Sequence, residues 1–338
     1  MKSFYLYLFC IVFIAPFFGV AQQPNAPLFR DPIYDGAADP IVVWNRVENN
    51  WWMLYTARHA NQALQGVAYC FGTNIGVASS DDNGKTWVYR GELDLDFEKG
   101  KNTFWAPDVI FHNGLYHMFV VYYRGVRSHW GGYPVIHHYT SSDMWDWKHI
   151  GPLELSSDRV IDATLAKMKD GKFRMWYKDE ARGSITMMSE SDDLYSWTTD
   201  TTNVAIGGDS HEGPKVFEFK GYYWMLTDEW QGMRIYKTKD LTNWEKQGLI
   251  LDKPGGRSED SPSGAHGDVV VVNDKAYVFY FTHPGRSKHS ESELDADGNY
   301  SYSQKRSSIQ VAELIFDGNT LTCDRDKPFD FYLPNIED

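Results

Sequence analysis

Five segments of this chain place an acid or a histidine at the start of a run of branched and aromatic residues. AADPIVV carries Asp39, WAPDVIF carries Asp108, and VIDATLA carries Asp162. SHEGPKV carries the adjacent pair His211 and Glu212, and AHGDVVV carries His266 and Asp268. One acid before a strand commonly only caps a turn. Five at matching places, far apart in sequence, are not demanded by turn chemistry or packing. Converging carboxylates suit hydrolysis of a glycosidic bond, in which one activates water and another protonates the leaving oxygen, about 6.5–9.5 Å away when configuration is inverted. A third acid nearby raises the donor's pKa by like-charge repulsion. Neighbouring strand residues face opposite ways, so only one of His211 and Glu212 is expected to address a common site.

The elements that must bring these groups together recur along the chain. Aromatic strand signals stand at WWMLYT (51–56), LYHMFVVYY (115–123), KFRMWYK (172–178), YYWMLTD (222–228) and AYVFYFTH (276–283). Each follows a shorter strand and a turn, and in four of the five the turn is of Asn-Gly, Asp-Gly, Lys-Gly or Asn-Asp type, which is hairpin chemistry. A polar stretch ending in Trp follows four of them: SDDNGKTW, SSDMWDW, SDDLYSW and KTKDLTNW. The first fits the Asp-box pattern through Ser80, Asp82, Gly84, Thr86 and Trp87, whose expected role is a structural turn. Repeats of about 50–60 residues with four strands each and almost no helical periodicity predict an all-β fold, a five-bladed β-propeller. Residues 96–104 and 285–306 read as loop insertions, and DADGN (295–299) as a turn rather than a calcium loop. In a propeller the innermost strands line the central channel, so acids at their starts would ring one mouth.

Composition narrows the alternatives. The chain has 338 residues, with 13 Trp and 21 Tyr, ample for a large core. Residues 1–21, with Lys2 before an uncharged run, are expected to be a cleaved signal peptide, leaving 22–338 as one propeller domain, periplasmic or secreted. The apolar run, roughly 17 residues, is short for a span, which argues against a membrane anchor. A net charge of −13 without basic clusters argues against nucleic acid and anionic membrane surfaces. Cys70 and Cys323 remain after cleavage, as a bridge or as two buried thiols. No glycine-rich phosphate loop precedes a helix.

The motifs ADP at Asp39, the Asp162 segment and EGP at Glu212 resemble the base, pKa-modulating Asp and acid of glycoside hydrolase family 43. Across nearly the whole chain from residue 22, GTNIGVASSDDNGKTWVYRG, NTFWAPDVI, WGGYPVIHHYTS, SHEGPKVFEFKGYYWMLTD, GLILDKPG and AHGDVVVVNDKAYVFYFTHPGR are similar to glycoside hydrolase family 117. That resemblance implies an exo-acting, inverting α-1,3-L-neoagarooligosaccharide hydrolase, releasing 3,6-anhydro-galactose from red-algal galactan oligosaccharides, agar type before carrageenan type. It implies Asp39 as base, Asp162 as the residue assisting the acid, His211 as proton donor and Glu212 as its neighbour, orienting it or holding sugar. Asp108 and His266 would bind sugar hydroxyls or hold a structural divalent cation in the channel; no cofactor is otherwise required. Arg58, His59, Trp105, Trp130 and Trp230, at strand ends or loops, are the remaining candidate sugar contacts. By the family-43 analogy the donor would be Glu212, and the enzyme a β-xylosidase, α-L-arabinofuranosidase or galactosidase; a non-catalytic sugar-binding propeller is the third reading. The family's dimer depends on an N-terminal extension for which about 15 residues before Asp39 leave little room, so the oligomeric state stays open.

Overall fold

The computed structural model describes residues 23–288 and 294–336; the expected signal peptide lies outside them. Twenty strands form five four-stranded antiparallel sheets, each from contiguous sequence, as the repeats predicted. Blade 1 is β1 (Ala37–Asn45), β2 (Asn50–Ala57), β3 (Ile75–Ser80) and β4 (Val88–Glu92). Blade 2 is β5 (Thr103–His112), β6 (Leu115–Tyr123), β7 (Val135–Ser141) and β8 (Lys148–Pro152). Blade 3 is β9 (Val160–Lys167), β10 (Phe173–Asp179), β11 (Ile185–Ser191) and β12 (Thr198–Ile206). Blade 4 is β13 (Glu212–Phe219), β14 (Tyr222–Asp228), β15 (Met233–Thr238) and β16 (Glu245–Ile250). Blade 5 is β17 (Ala265–Val272), β18 (Lys275–Thr282), β19 (Ser308–Phe316) and β20 (Leu321–Thr322).

No blade mixes strands from both ends of the chain; the ring closes through short backbone bridges from the terminal segments together with side-chain packing. Leu28 and Phe29 bond the Ile309 carbonyl and share a buried cluster with Tyr55 of blade 1 and Phe279 and Phe281 of blade 5. Phe329, Phe331 and Leu333 from the C-terminal segment complete that cluster, and the Trp51 indole donates to the Pro334 carbonyl at 3.0 Å. The four polar-Trp stretches are the turns expected of them. In the first, Asp82 accepts from Thr86 N at 2.9 Å and the Trp87 indole donates to Gly84 O at 3.0 Å; Asp143, Asp193 and Asp240 hold the others in the same way. Asp295 accepts from Asp297 N and Asn299 N, so DADGN is a solvated turn. Cys70 and Cys323 are free thiols.

The five inner strands share one irregularity. Each has an extra residue at its start, against an unbroken second strand: the register shifts at Ala38/Ile41, Trp105/Asp108, opposite Trp176/Lys178, at Glu212/Lys215 and at Ala265/Gly267. Such bulges re-aim side chains. Here they bring Asp39 (φ 51°), Ala106 (φ 40°), Asp162 (φ 57°) and Gly213 (φ 57°) into the left-handed region. For the non-glycine residues that strain costs of order 1–3 kcal/mol each and persists where the surroundings over-determine it, commonly at functional sites.

Candidate active site

Aligning the blades on their bulges sorts the acids into layers. Asp39, Ala106, Asp162, Gly213 and His266 are equivalent; Glu212 stands one residue earlier, with Ala38, Trp105, Ile161 and Ala265. Asp108 and Asp268 belong with Ile41, Thr164 and Lys215, one step further along the strands. The expectation of five acids in one register is therefore corrected: only part of the set reaches the mouth.

That mouth is a cavity of about 380 Å³ lined by Asp39, Arg58, Trp105, Trp130, Asp162, Glu212, Trp230 and His266, eight of the residues expected from sequence. Arg58 donates to both Asp39 oxygens at 3.0 and 3.3 Å, and His266 Nδ1 lies 3.6 Å from Asp39 Oδ1. Asp162 Oδ2 accepts from Gly213 N at 3.1 Å, linking blades 3 and 4. Glu212 is held from two sides, by Lys178 Nζ at 2.9 Å on Oε2 and the Trp230 indole N–H at 2.9 Å on Oε1. Gly213 is confined to glycine by contact as well as conformation, since a Cβ would lie 2.4 Å from the His266 ring.

These contacts push the carboxyl groups apart in pKa. Burial would raise Asp39, but Arg58 and then His266 outweigh it and hold the group well below the ordinary carboxylate range. Burial, reinforced by the Glu212 charge, pushes Asp162 up to about 6 against the pull of His266 and Lys178. For Glu212, burial is opposed and outweighed by the Lys178 ammonium, so its carboxyl sits below its usual value. Burial alone would lower His266, yet Asp162, Asp39 and Glu212 push it up to about 9, making it an imidazolium at neutral pH. The site thus holds a strongly ionised carboxylate, Asp39, and a carboxyl that keeps its proton to higher pH, Asp162, beside Glu212; groups with separated pKa values are what general acid–base catalysis draws on.

Three expected residues stand elsewhere. His211 is buried beside the cavity, not in it: Nδ1 bonds the Asp209 carbonyl at 2.8 Å and Nε2 bonds Thr186 Oγ1 at 2.7 Å. Nδ1–H must be the donor to a carbonyl, so Nε2 accepts the hydroxyl proton and the ring is satisfied while neutral. Burial, the largest influence, lowers its pKa further. His59 alternates away from Arg58 and packs against the Tyr34 ring at 4.4 Å, outside the cavity. Asp108 Oδ2 accepts from Leu165 N at 2.7 Å, tying blade 2 to blade 3, and its other oxygen lies 3.2 Å from Lys215 Nζ. Asp268 is 2.8 Å from the same ammonium and accepts from Val42 N at 2.8 Å. The Lys215 ammonium therefore already neutralises Asp108 and Asp268 in the channel. Among the described residues there is no cluster of three or more metal-ligating side chains.

Sequence reasoning caught only Arg58 and Trp230 of a second ring. The residues paired across from Ala38, Ile161 and Glu212 are Thr56, Lys178 and Asp228, and two residues beyond each come Arg58, Glu180 and Trp230. Lys178, Glu180 and also His283 line the cavity, with Tyr69, Arg286 and Tyr300 at its wall. The signal was available in the polar ends of the second strands, YTAR, YKDE, LTDEW and FTH. A more open recess of about 650 Å³ beside Tyr300, lined by Asn61, Gln65, Asp295 and Asn299, contains none of the channel carboxyls.

The family model described as glycosyl hydrolases family 43 matches residues 88–230. No curated protein matches the sequence significantly. Among solved structures, a thermostable family-43 glycoside hydrolase is 20% identical, with 92% of this chain and 99% of that chain covered at a TM-score of 0.64. A family-43 β-1,3-galactosidase with galactodeoxynojirimycin is 14% identical, covering 86% and 95%, TM-score 0.62. A β-xylosidase/α-arabinofuranosidase from a compost microbial metagenome, in complex with xylotriose, is 16% identical, covering 90% and 97%, TM-score 0.62. The chain has the five-bladed propeller fold of family-43 glycosidases, and the stretch carrying Asp162 and Glu212 matches that family's model.

Proposed function

We propose that the protein is an inverting, exo-acting glycosidase in which Asp39 activates water and Glu212 protonates the leaving oxygen. The observation that carries this is the placing of three carboxyl groups around one cavity: Asp39 on blade 1, ion-paired with Arg58 at 3.0 Å, faces Asp162 on blade 3 and Glu212 on blade 4, the latter held by Lys178 and Trp230 at 2.9 Å each. A volume of about 380 Å³ lies near the lower end of the usual ligand-cleft range of roughly 300–1,000 Å³, which suits a terminal sugar more than the middle of a chain. Trp105, Trp130 and Trp230 supply ring faces and Arg58 and His266 supply donors for hydroxyls. Lys178 favours the charged form of Glu212 in the resting site; a sugar oxygen that accepts from Lys178 instead frees Glu212 to carry the proton.

For substrate class, the family-43 match and the xylo- and galacto-configured ligands of the similar structures favour a pentoside or galactoside. An α-1,3-linked anhydro-galactoside is the second reading, favoured by the SHEGP stretch and the other family-117-like motifs. We propose a periplasmic or secreted location on the strength of residues 1–21. The test is hydrolysis of aryl xylosides, arabinofuranosides and galactosides beside neoagaro- and neocarra-oligosaccharides, with the released anomer followed by NMR. No turnover of any of them by folded protein refutes the reading. Glu212→Gln should lose natural-type substrates yet retain a substrate whose leaving group needs no proton. If His211→Gln shows that rescue instead, the donor is His211.

A further inference from the structure

Asp228 is a buried carboxyl at the end of β14, paired across the strands with Glu212. It does not line the cavity. Its equivalent in blade 1 is Thr56, whose hydroxyl accepts from Ala106 N at 3.0 Å and so ties blade 1 to blade 2. Asp228 makes the matching tie with Oδ2, accepting from His266 N at 2.9 Å between blades 4 and 5. A hydroxyl is therefore sufficient for the structural link, and a carboxyl at this place is surplus to it. The surplus oxygen has its own contact: Oδ1 accepts from Trp230 N at 2.6 Å. Trp230 has φ 59°, an uncommon conformation for an aromatic residue, and its indole N–H is one of the two donors on Glu212. The chain of contacts runs from Asp228 to the Trp230 backbone and from the Trp230 ring to Glu212.

Resting on the assignment of Glu212 as proton donor, we infer that Asp228 is its positioning residue: it fixes Trp230 against Glu212 and sets a second buried carboxyl beside the donor. The charged groups around it are Glu212 across the strands, His266 from blade 5, and Lys178 and Asp162 from blade 3, whose charges act on Glu212 in turn. Burial and then the Glu212 charge push Asp228 up to about 7, so the two carboxyls compete to be ionised. Removing one of them lowers the proton affinity of what remains.

The experiment uses Asp228→Thr, which copies blade 1 and keeps the inter-blade acceptor. With a substrate whose leaving group needs protonation, kcat is expected to fall roughly 10–100-fold, part of what general acid catalysis supplies. With an activated aryl glycoside the change should stay within about threefold, and the descending limb of the pH profile should move to lower pH. An equal loss on both substrates with an unmoved limb, or unchanged kinetics on both, overturns the inference. Trp230→Phe, which removes the indole donor together with part of the ring face, should show the same split in kcat in smaller measure, on top of a KM rise common to both substrates, and decides the matter if the Thr variant does not fold; no split in kcat refutes it. Failure of the underlying reading looks different: the wild-type protein is then inactive, or its Asp39→Asn variant remains active on both substrates.

Discussion

Replacing Lys215 with Met should remove the charge that holds the lower layer of the channel together. Its ammonium is 2.8 Å from Asp268 and 3.2 Å from Asp108, and all three side chains are buried or nearly so. At an effective dielectric near 20, a pair of unit charges 3 Å apart is worth about 5 kcal/mol before desolvation is subtracted. Removing one partner of a buried pair costs about 3–5 kcal/mol, because the other charge is left uncompensated. Here two carboxylates are left facing each other, and burial together with Asp268 already pushes Asp108 upward even with Lys215 present. With an unfolding entropy near 2.1 cal/mol/K per residue over about 310 residues, the loss corresponds to a Tm drop of roughly 5–8 °C at pH 7. The sign with pH follows from linkage. An acid whose folded pKa is raised destabilises above that pKa and is relieved as pH falls toward its unfolded value. The gap between wild type and variant, measured by scanning calorimetry, should therefore narrow from pH 7 to pH 5, and adding Asp268→Asn should recover part of it at pH 7. A gap that is the same at both pH values, with no recovery in the double variant, refutes the electrostatic account and leaves packing as the cause.

The pH dependence of turnover follows from the upper layer. Asp39 is ionised across the working range, so kcat/KM should show no base limb at pH 5, and it should decline as pH rises and the Asp162 carboxyl, pushed up to about 6 by burial and the Glu212 charge, loses its proton beside the donor; a rising limb between pH 5 and 6 contradicts the assignment of Asp39. Gly213→Ala must place a Cβ 2.4 Å from His266 in a left-handed conformation, and is expected to lower activity at least about tenfold through displaced His266 with a loss of order 1–3 kcal/mol; wild-type kcat would show that the bulge is not needed for the site. In blade 2, burial lowers His117 and His137 to about 4 and His138 to about 3. They meet in ring-to-ring bonds, His117 to His138 at 3.0 Å and His137 to His149 at 2.8 Å. A base with a depressed folded pKa contributes stability above its unfolded value near 6.5 and loses it below. Wild type should therefore lose stability from pH 6.5 toward 4, and His138→Phe, stacked on Phe119 as His138 is, should lose less; identical slopes would refute the role of the histidines.

Much of the fold was legible because a propeller writes its blades as repeats. Strand periodicity, hairpin turns and the polar-Trp stretches are local, and local rules predicted them. The carboxyls of the mouth were legible as types but not as a register. WAPDVIF and AADPIVV look interchangeable around their prolines, yet Asp39 precedes Pro40 on the bulge whereas Asp108 follows Pro107 one layer along. A displacement of two residues along a strand of 3.3 Å rise moves a side chain by about 6–7 Å, enough to exchange a role at the mouth for one in the channel. The placement of His211 outside the cavity was not legible for a related reason: its adjacency to Glu212 is a fact of sequence, while its partners Thr186 and Asp209 are facts of packing.

The layers also explain why so many charges can be buried together here. Hydrogen bonds from the lower layer, at Asp108, Thr164 and Asp268, run from one inner strand to a backbone N–H of the next, so each acceptor fixes the neighbouring blade. The upper layer repeats that logic with Asp162 to Gly213 N and Asp228 to His266 N, but its carboxyls open onto the cavity or onto groups that do. A group already required as an inter-blade acceptor is desolvated and oriented by the fold itself. Chemistry at the mouth then needs only a change of residue type at such a position, hydroxyl to carboxyl, with no new backbone. On this argument Thr56 and Asp228 are two states of one device. Placing Asp at position 56 should accordingly fold and put an additional acid beside Arg58 and Asp39, raising the Asp39 pKa and lowering activity on the acid side. Its pH profile is the direct measure; a Thr56→Asp protein that is folded and kinetically unchanged would break the equivalence.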